Sequence, residues 1–316
     1  MGIKVQWGLT NDREAVTFDI FRSETKFDES TLPSVLVNVQ GNIKEYDDTT
    51  AIRNKVYYYC IGSNFENGDV TYSKVVALAN MPYTGFGPNT LRSGDYELGY
   101  FGEVPDFVLP GEITDLCGLS LLTDIRIPPV TDFIWHKFVV DGRIFMLPIR
   151  YVAYNLRWVD VYNAGCAWST PGDHWDDLPA PVKTVVGTPT EQGKTVIIKN
   201  HSYRVGLPTF AGERSLASIA AGQAVYDQFN DLLGLTWDRL IAYASNINKP
   251  NLKTRVNSTS TNVVMTGGAP GSGIFMTRTF VGETQSILVR GAALINVSST
   301  LVNSAAAFMP ILELEL

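Results

Sequence analysis

From residue 1 to residue 80, apolar side chains recur at every second position in short runs, and none of these runs keeps a helical period. Ile3, Val5 and Trp7 alternate with polar neighbours; Val16, Phe18 and Ile20 repeat the pattern, and Tyr57, Tyr59 and Ile61 repeat it again. The run Val70–Leu78 closes the series. Thr10-Asn11-Asp12, Asp47-Asp48 and Asn67-Gly68-Asp69 separate the runs as turn signals. A period of two places alternate side chains on opposite faces of a strand. Many short strands with turn signals between them predict a β-sandwich.

Beyond this stretch the pattern changes. Met81-Pro-Tyr-Thr-Gly-Phe-Gly-Pro-Asn89 is rich in Pro and Gly and reads as a linker, 81–90. Glu112–Leu122 has apolar residues at helical spacing (Ile113, Leu116, Cys117, Leu121), with Gly118 weakening the helix. Phe133–Ile149 is two apolar runs about Asp141-Gly142, a strong hairpin signal. Asn155–Ala164 reads as a second helix, Val196–Val205 as a hairpin turning near Lys199-Asn200, and Gln223–Ser245 as a helical stretch interrupted at Gly234. The glycine-rich 267–273 reads as a loop, and Phe280–Val289, Ala292–Val297 and Met309–Leu316 read as strands. Helices and hairpins mixed without βαβ alternation predict an α+β class for residues 91–316. At roughly 100–200 residues per domain, a chain of 316 residues fits two domains, 1–80 and 91–316.

Composition narrows the function classes. Net charge is −7 and the basic residues are scattered singly, so no phosphate-binding surface and no nucleic-acid partner is expected. No apolar run approaches the roughly 18 residues of a membrane span, and MGIKVQWGLTNDRE lacks the apolar core of a secretion signal, so membrane insertion is not expected. Cys60, Cys117 and Cys166 are widely spaced and odd in number, which fits reduced, buried thiols better than disulfides or zinc.

The order of side chains in the first domain is more specific than its period. Trp7, the run Val16-Thr-Phe-Asp-Ile-Phe-Arg-Ser23, Tyr46-Asp-Asp-Thr-Thr50, Val56-Tyr-Tyr-Tyr-Cys-Ile-Gly62 and Gly68-Asp-Val-Thr-Tyr-Ser-Lys-Val-Val76 follow one another. Up to Leu78 this resembles a fibronectin type III domain, a member of the Ig-like sandwiches. The domain's usual first strand has only Met1–Lys4 to form it here, so the resemblance implies a short or missing strand and an edge in need of a cover. The second domain or another subunit is expected to supply that cover.

Several segments of residues 91–316 occur in the order of a second family. They are Ser93-Gly-Asp-Tyr-Glu-Leu-Gly-Tyr-Phe-Gly-Glu-Val-Pro105, the stretch Ile113–Leu122, Trp135-His-Lys-Phe-Val-Val-Asp-Gly-Arg-Ile-Phe-Met-Leu147 and Tyr154–Trp168. Val196–Val205, Tyr226–Leu233 and the tail Phe308-Met-Pro-Ile-Leu-Glu-Leu314 complete the set. Together they resemble the structural proteins of tailed-bacteriophage particles. The family's Trp-Arg before the final Pro is Phe308-Met309 here, so no role of those residues carries over. The terminal pattern is also similar to lectin-like folds, in which the last strand closes beside the first. The resemblance implies a non-enzymatic virion component, made in the host bacterial cytoplasm and assembled into tail, baseplate, neck (collar) or capsid decoration. Its implied partners are copies of itself and other virion proteins.

Little in the sequence points to reaction chemistry. There is neither a G-x-S-x-G nor an H-E-x-x-H motif, and Gly267–Gly273 lacks the Gly-Lys-Ser/Thr of a phosphate loop. No enzyme activity and no cofactor is expected. Of the three histidines, His136 on a strand and His201 at a hairpin turn are expected to be structural or exposed. The third lies in Asp173-His174-Trp175-Asp176-Asp177, where carboxylates suit a hard cation and Trp175 or the nearby Trp168 could stack on a sugar. The plainer reading is a solvated loop. Trp7, Trp135 and Trp158 fall on apolar faces and are expected in the core. The alternative function is therefore recognition of a host-surface glycan by loops 168–180 and 255–275.

Overall fold

The computed structural model describes residues 2–8, 14–129, 133–148, 151–207, 274–280, 286–291 and 297–316. The expected helix Gln223–Ser245 and loop 267–273 lie outside them, as does the turn at Thr10-Asn11-Asp12. The fold is mainly β, built from several antiparallel sheets, and none of its described helices is long and apolar enough to cross a membrane.

The first unit holds seven strands: β1 (Ile3–Gln6), β2 (Thr17–Ser23), β3 (Val35–Gln40), β4 (Glu45–Asp48), β5 (Val56–Asn64), β6 (Val70–Tyr72) and β7 (Val76–Ala79). β1 pairs with β4; β3, β2, β5 and β6 form the other sheet in that order, and β7 also pairs with β5. The alternation places Ile3 and Val5 with Phe18, Ile20, Tyr57, Tyr59 and Ile61 in one core. Val16 does not join it, being half exposed one residue ahead of β2.

Two expectations are corrected here. Asp47-Asp48 is the end of a strand; the turn falls at Thr49-Thr50, because the Asp48 carboxylate accepts hydrogen bonds from the Thr50 amide (3.0 Å) and hydroxyl (2.7 Å). The run Val70–Leu78 is two strands, because the Ser73 hydroxyl takes the Ile61 amide at 3.0 Å and interrupts the ladder between them.

The second unit contains β8 (Ser93–Gly94), β9 (Leu98–Pro105), α1 (Pro110–Cys117), β10 (Ile134–Val140), β11 (Arg143–Pro148), β12 (Ala153–Arg157), α2 (Trp158–Asn163) and α3 (Ala180–Val186). It continues with β13 (Thr195–Ile198), β14 (His201–Gly206), β15 (Ile274–Phe280), β16 (Ser286–Gly291), β17 (Val297–Leu301), β18 (Ala305–Phe308) and β19 (Ile311–Leu314). A seven-stranded sheet runs β13-β14-β19-β11-β10-β9-β8, and a five-stranded sheet runs β12-β18-β15-β16-β17. Short helices α1–α3 accompany these strands, and strands dominate the unit, in keeping with a chain expected to be mainly β with an α+β second domain. The central strands are buried on both faces: Trp135, Val139, Ile144 and Met146 enter one core, and Phe138, Val140, Phe145 and Leu147 another.

Both expected hairpins form. Asp141 (φ 48°) and Gly142 (φ 75°) turn β10 into β11, and Lys199 (φ 51°) and Asn200 (φ 63°) turn β13 into β14. Paired positive φ values are those of a type I′ turn. The first helix is shorter than its pattern. Gly118 adopts the left-handed conformation (φ 73°) that ends helices, so Leu121 falls beyond α1 and is 87% exposed, and Leu116 is 40% exposed. Leu119 enters the core instead. Asn155–Arg157, expected to be helical, extends β12, because β18 from the far end of the chain pairs with it. The helix begins only at Trp158, where the Asp160 carboxylate accepts the Arg157 amide at 3.0 Å. Phe280 ends β15, Ser286–Val289 lie in β16 and Val297 begins β17; the rest of the expected strands Phe280–Val289 and Ala292–Val297 lies outside the described residues. The last strand, β19, lies between β14 and β11, inside its sheet and beside neither the first strand of the chain nor that of its unit.

The segment 81–90 is packed. Met81 and Thr84 are buried, and the fully buried Lys137 of β10 donates to Thr84 Oγ1 (3.0 Å), Gly85 O (3.4 Å) and Pro88 O (2.7 Å). The two units also touch directly. Tyr96 donates its amide to Ala77 O (3.0 Å), Asp95 accepts the Ala77 amide (3.1 Å), and Lys26 pairs with Glu97. The β10–β11 turn completes this lock: the Asp141 and Gly142 amides donate to Glu97 O and Tyr96 O, both at 2.9 Å. These contacts gather on β7 and on the loop after β2. No described strand of the second unit pairs with the open edge of β1.

Candidate functional site

The loop 168–177 leaves α2 through Gly165 and is anchored from below by a buried glutamine. Gln192 Oε1 accepts the Ala167 amide at 3.0 Å, while its Nε2 donates to Tyr162 O and Thr190 O, both at 2.9 Å. Glu191 Oε1 accepts the Gly172 amide at 2.7 Å. Neither residue carries a motif in the sequence; only folding brings them under the loop.

Trp168 is 7% exposed, with Trp158 and Tyr162 each edge-on to it at 5.9 Å. The His174 ring stacks on Trp168 at 5.0 Å with 5° between the planes. His174 Nδ1 lies 2.8 Å from Asp177 Oδ2, and its Nε2 lies 3.0 Å from Thr170 Oγ1. The structure thus stacks His174 on Trp168 and joins Asp177 to them through the His174 ring nitrogen.

The other members point elsewhere. Asp173 Oδ1 accepts the Trp175 amide (3.0 Å), and its main-chain oxygen accepts the Tyr162 hydroxyl (2.8 Å). Asp176 is exposed. Trp175 is half-buried, with the Lys183 ammonium 5.6 Å from its ring centre. Among the described residues no three His, Cys, Asp or Glu side chains group as metal ligands. A sugar would find the face of Trp168 buried under His174, leaving Trp175 as the accessible ring. The other candidate loop, 255–275, falls almost entirely outside the described residues.

The remaining chemistry-bearing side chains are engaged in packing. His136 is buried, with Nδ1 2.9 Å from the Tyr100 hydroxyl, and burial pushes that phenol's pKa up. His201 Nδ1 meets the Tyr83 hydroxyl. All three cysteines are buried and free. Burial raises the Cys60 thiol; contact with Cys166, then burial, raises Cys117 well above the ordinary range. A raised thiol is protonated and a poor nucleophile. Burial lowers the Lys137 ammonium to about 8, and its three oxygen acceptors belong to the strap between the units.

Two surface depressions complete the picture. A polar cleft of about 310 Å³ is lined by Asp124, Asn155, Arg157, Asp160 and Asn303, but much of its charge is already paired, Arg157 Nε with Asp160 Oδ2 at 2.8 Å. A groove of about 430 Å³ lies between α1 and β13, lined by Phe107, Val108, Asp115, Leu116, Ile197 and Lys199. Compared with known proteins, the chain matches no family model, no curated protein and no solved structure.

Proposed function

We propose that the chain is a non-enzymatic structural component of a tailed-phage virion, acting through the surfaces it presents to copies of itself and to neighbouring virion proteins. One observation carries this reading. Three of the segments that resemble virion structural proteins, Trp135–Leu147, Val196–Val205 and the tail Phe308–Leu314, are far apart in sequence yet supply the adjacent strands β13-β14-β19-β11-β10. Part of a resemblance scattered over the sequence is thereby gathered in one sheet. The strand order of the first unit, β3-β2-β5-β6 against β1-β4, supports a fibronectin type III-like module. Its locking to the second unit suits a rigid building block. Mass spectrometry of purified particles from a host carrying the gene tests the proposal. The chain is expected among the particle proteins in many copies, and finding it only in the soluble lysate refutes the proposal.

A second reading, host-glycan recognition, draws on the braced loop 168–177 with its accessible Trp175. Binding sites of this kind sit on loops held by a rigid scaffold. A glycan array probed with the purified chain separates the readings: selective, Trp175-dependent binding favours the second.

A further inference from the structure

The seven-stranded sheet has two unlike ends. β8 is two residues long and leads into the turn Asp95–Glu97 that grips the first unit, so that edge is short. β13 is Thr-Val-Ile-Ile, with no proline and no charge, and no described strand pairs with its outer side. Natural sheets protect such edges with charges, prolines, bulges or covering segments. The neighbouring Lys194 does not serve here, because its ammonium turns inward to Cys117 O at 2.9 Å.

The register shows what the edge offers. The two-residue turn makes Ile198 and His201 a hydrogen-bonded pair, and Val196 with Tyr203 the next. The amides and carbonyls of Thr195 and Ile197 therefore point outward. The Ile197 side chain is 70% exposed, and across the groove Leu116 of α1 is 40% exposed.

We infer that β13 is a self-association edge, onto which β13 of a second copy adds as an antiparallel strand across a two-fold axis, in the groove beside α1. In that arrangement Thr195 and Ile197 of each copy exchange backbone hydrogen bonds with Ile197 and Thr195 of the other, and two seven-stranded sheets become one. An isologous contact of this kind closes on itself.

Charge selects a second copy as the occupant. The hydrogen bond from Lys194 to Cys117 O sets the start of β13 beside the C-terminal end of α1. Antiparallel addition then sets the second copy's Lys199 toward the end of α1 that carries Asp115, and the two-fold axis repeats the pairing. The inference rests on the reading that the chain assembles with itself.

Analytical ultracentrifugation of the full chain, with its variants, tests it. The chain is expected to self-associate in the micromolar range. Ile197→Pro removes an outward amide and leaves the pairing with β14 intact, so it should weaken association about tenfold or more. Lys199→Glu should weaken it similarly, and adding Asp115→Lys should restore it, which keeps the test valid if the proline variant fails to fold. Unchanged association in Lys199→Glu, no rescue by the double variant, or a monomer at every concentration overturns the inference. If the chain self-associates through β13 yet is absent from particles, the virion reading fails alone. If it is present in particles and self-associates equally well in all variants, the edge assignment fails alone.

Discussion

The Tyr59 hydroxyl of β5 donates to Asp48 Oδ2 at the end of β4, at 2.6 Å, and so ties the two sheets of the first unit together. Arg22 Nη1 reaches the same oxygen at 2.6 Å, and the carboxylate is fully buried. Burial alone would raise the Asp48 carboxyl; the bonds from Tyr59, Thr50 and Arg22 outweigh it and hold the pKa below the ordinary aspartate range. The unfolded value is about 3.9. The stability this group contributes is therefore complete above the unfolded value and is lost as pH falls through the lower, folded one. Asp48→Ala is expected to cost about 3–5 kcal/mol, the range for breaking a buried ion pair. Urea titrations across the acid limb check both points, with a flatter limb expected in Asp48→Asn.

Lys137 produces the opposite slope. Its ammonium is lowered to about 8 from an ordinary 10.5, so between those values the unfolded chain binds the proton more strongly than the folded one. Stability should rise with pH through that window. Comparing wild type with Lys137→Met isolates the effect, since the variant has no such proton; parallel curves for the two proteins would contradict it. Lys137→Ala, which also strands buried carbonyls in the strap and leaves a void, should cost about 2–4 kcal/mol.

Gly142 lies where the second unit meets the first. Its φ is 75°, and a Cβ there would stand 2.5 Å from Val56 Cγ2. Gly142→Ala should therefore destabilise by about 1–3 kcal/mol and loosen the contact between the units. Faster limited proteolysis within 81–90, with little change in the far-ultraviolet spectrum, is the expected readout.

Trp168 is a core residue on this structure. Trp168→Ala should lower stability by about 3–5 kcal/mol, as for other buried aromatic residues. Trp175→Ala, on a half-buried ring, should cost clearly less. Thermal denaturation of both variants checks the order, and equal costs would show that the loop is not braced as described.

The features legible in the sequence were those set by neighbouring residues. Asp141-Gly142 and Lys199-Asn200 announce their turns because only a few residue types accept positive φ. The alternation at Tyr57, Tyr59 and Ile61 announces its strand because a pleated backbone alternates its faces. The apolar spacing of Glu112–Leu122 carries a helix past Gly118, where α1 stops.

Tertiary structure decided what depends on distant partners. Asn155–Arg157 is strand because β18 pairs with it, 81–90 is a clamped strap because Lys137 reaches it, and His174 meets Trp168 because Gln192 and Glu191 hold the loop from beneath. The position of β19 inside its sheet, between β14 and β11, was likewise beyond local pattern. Pairing residues so far apart carries a loop-closure cost that only the assembled core repays, so no short window of sequence records it.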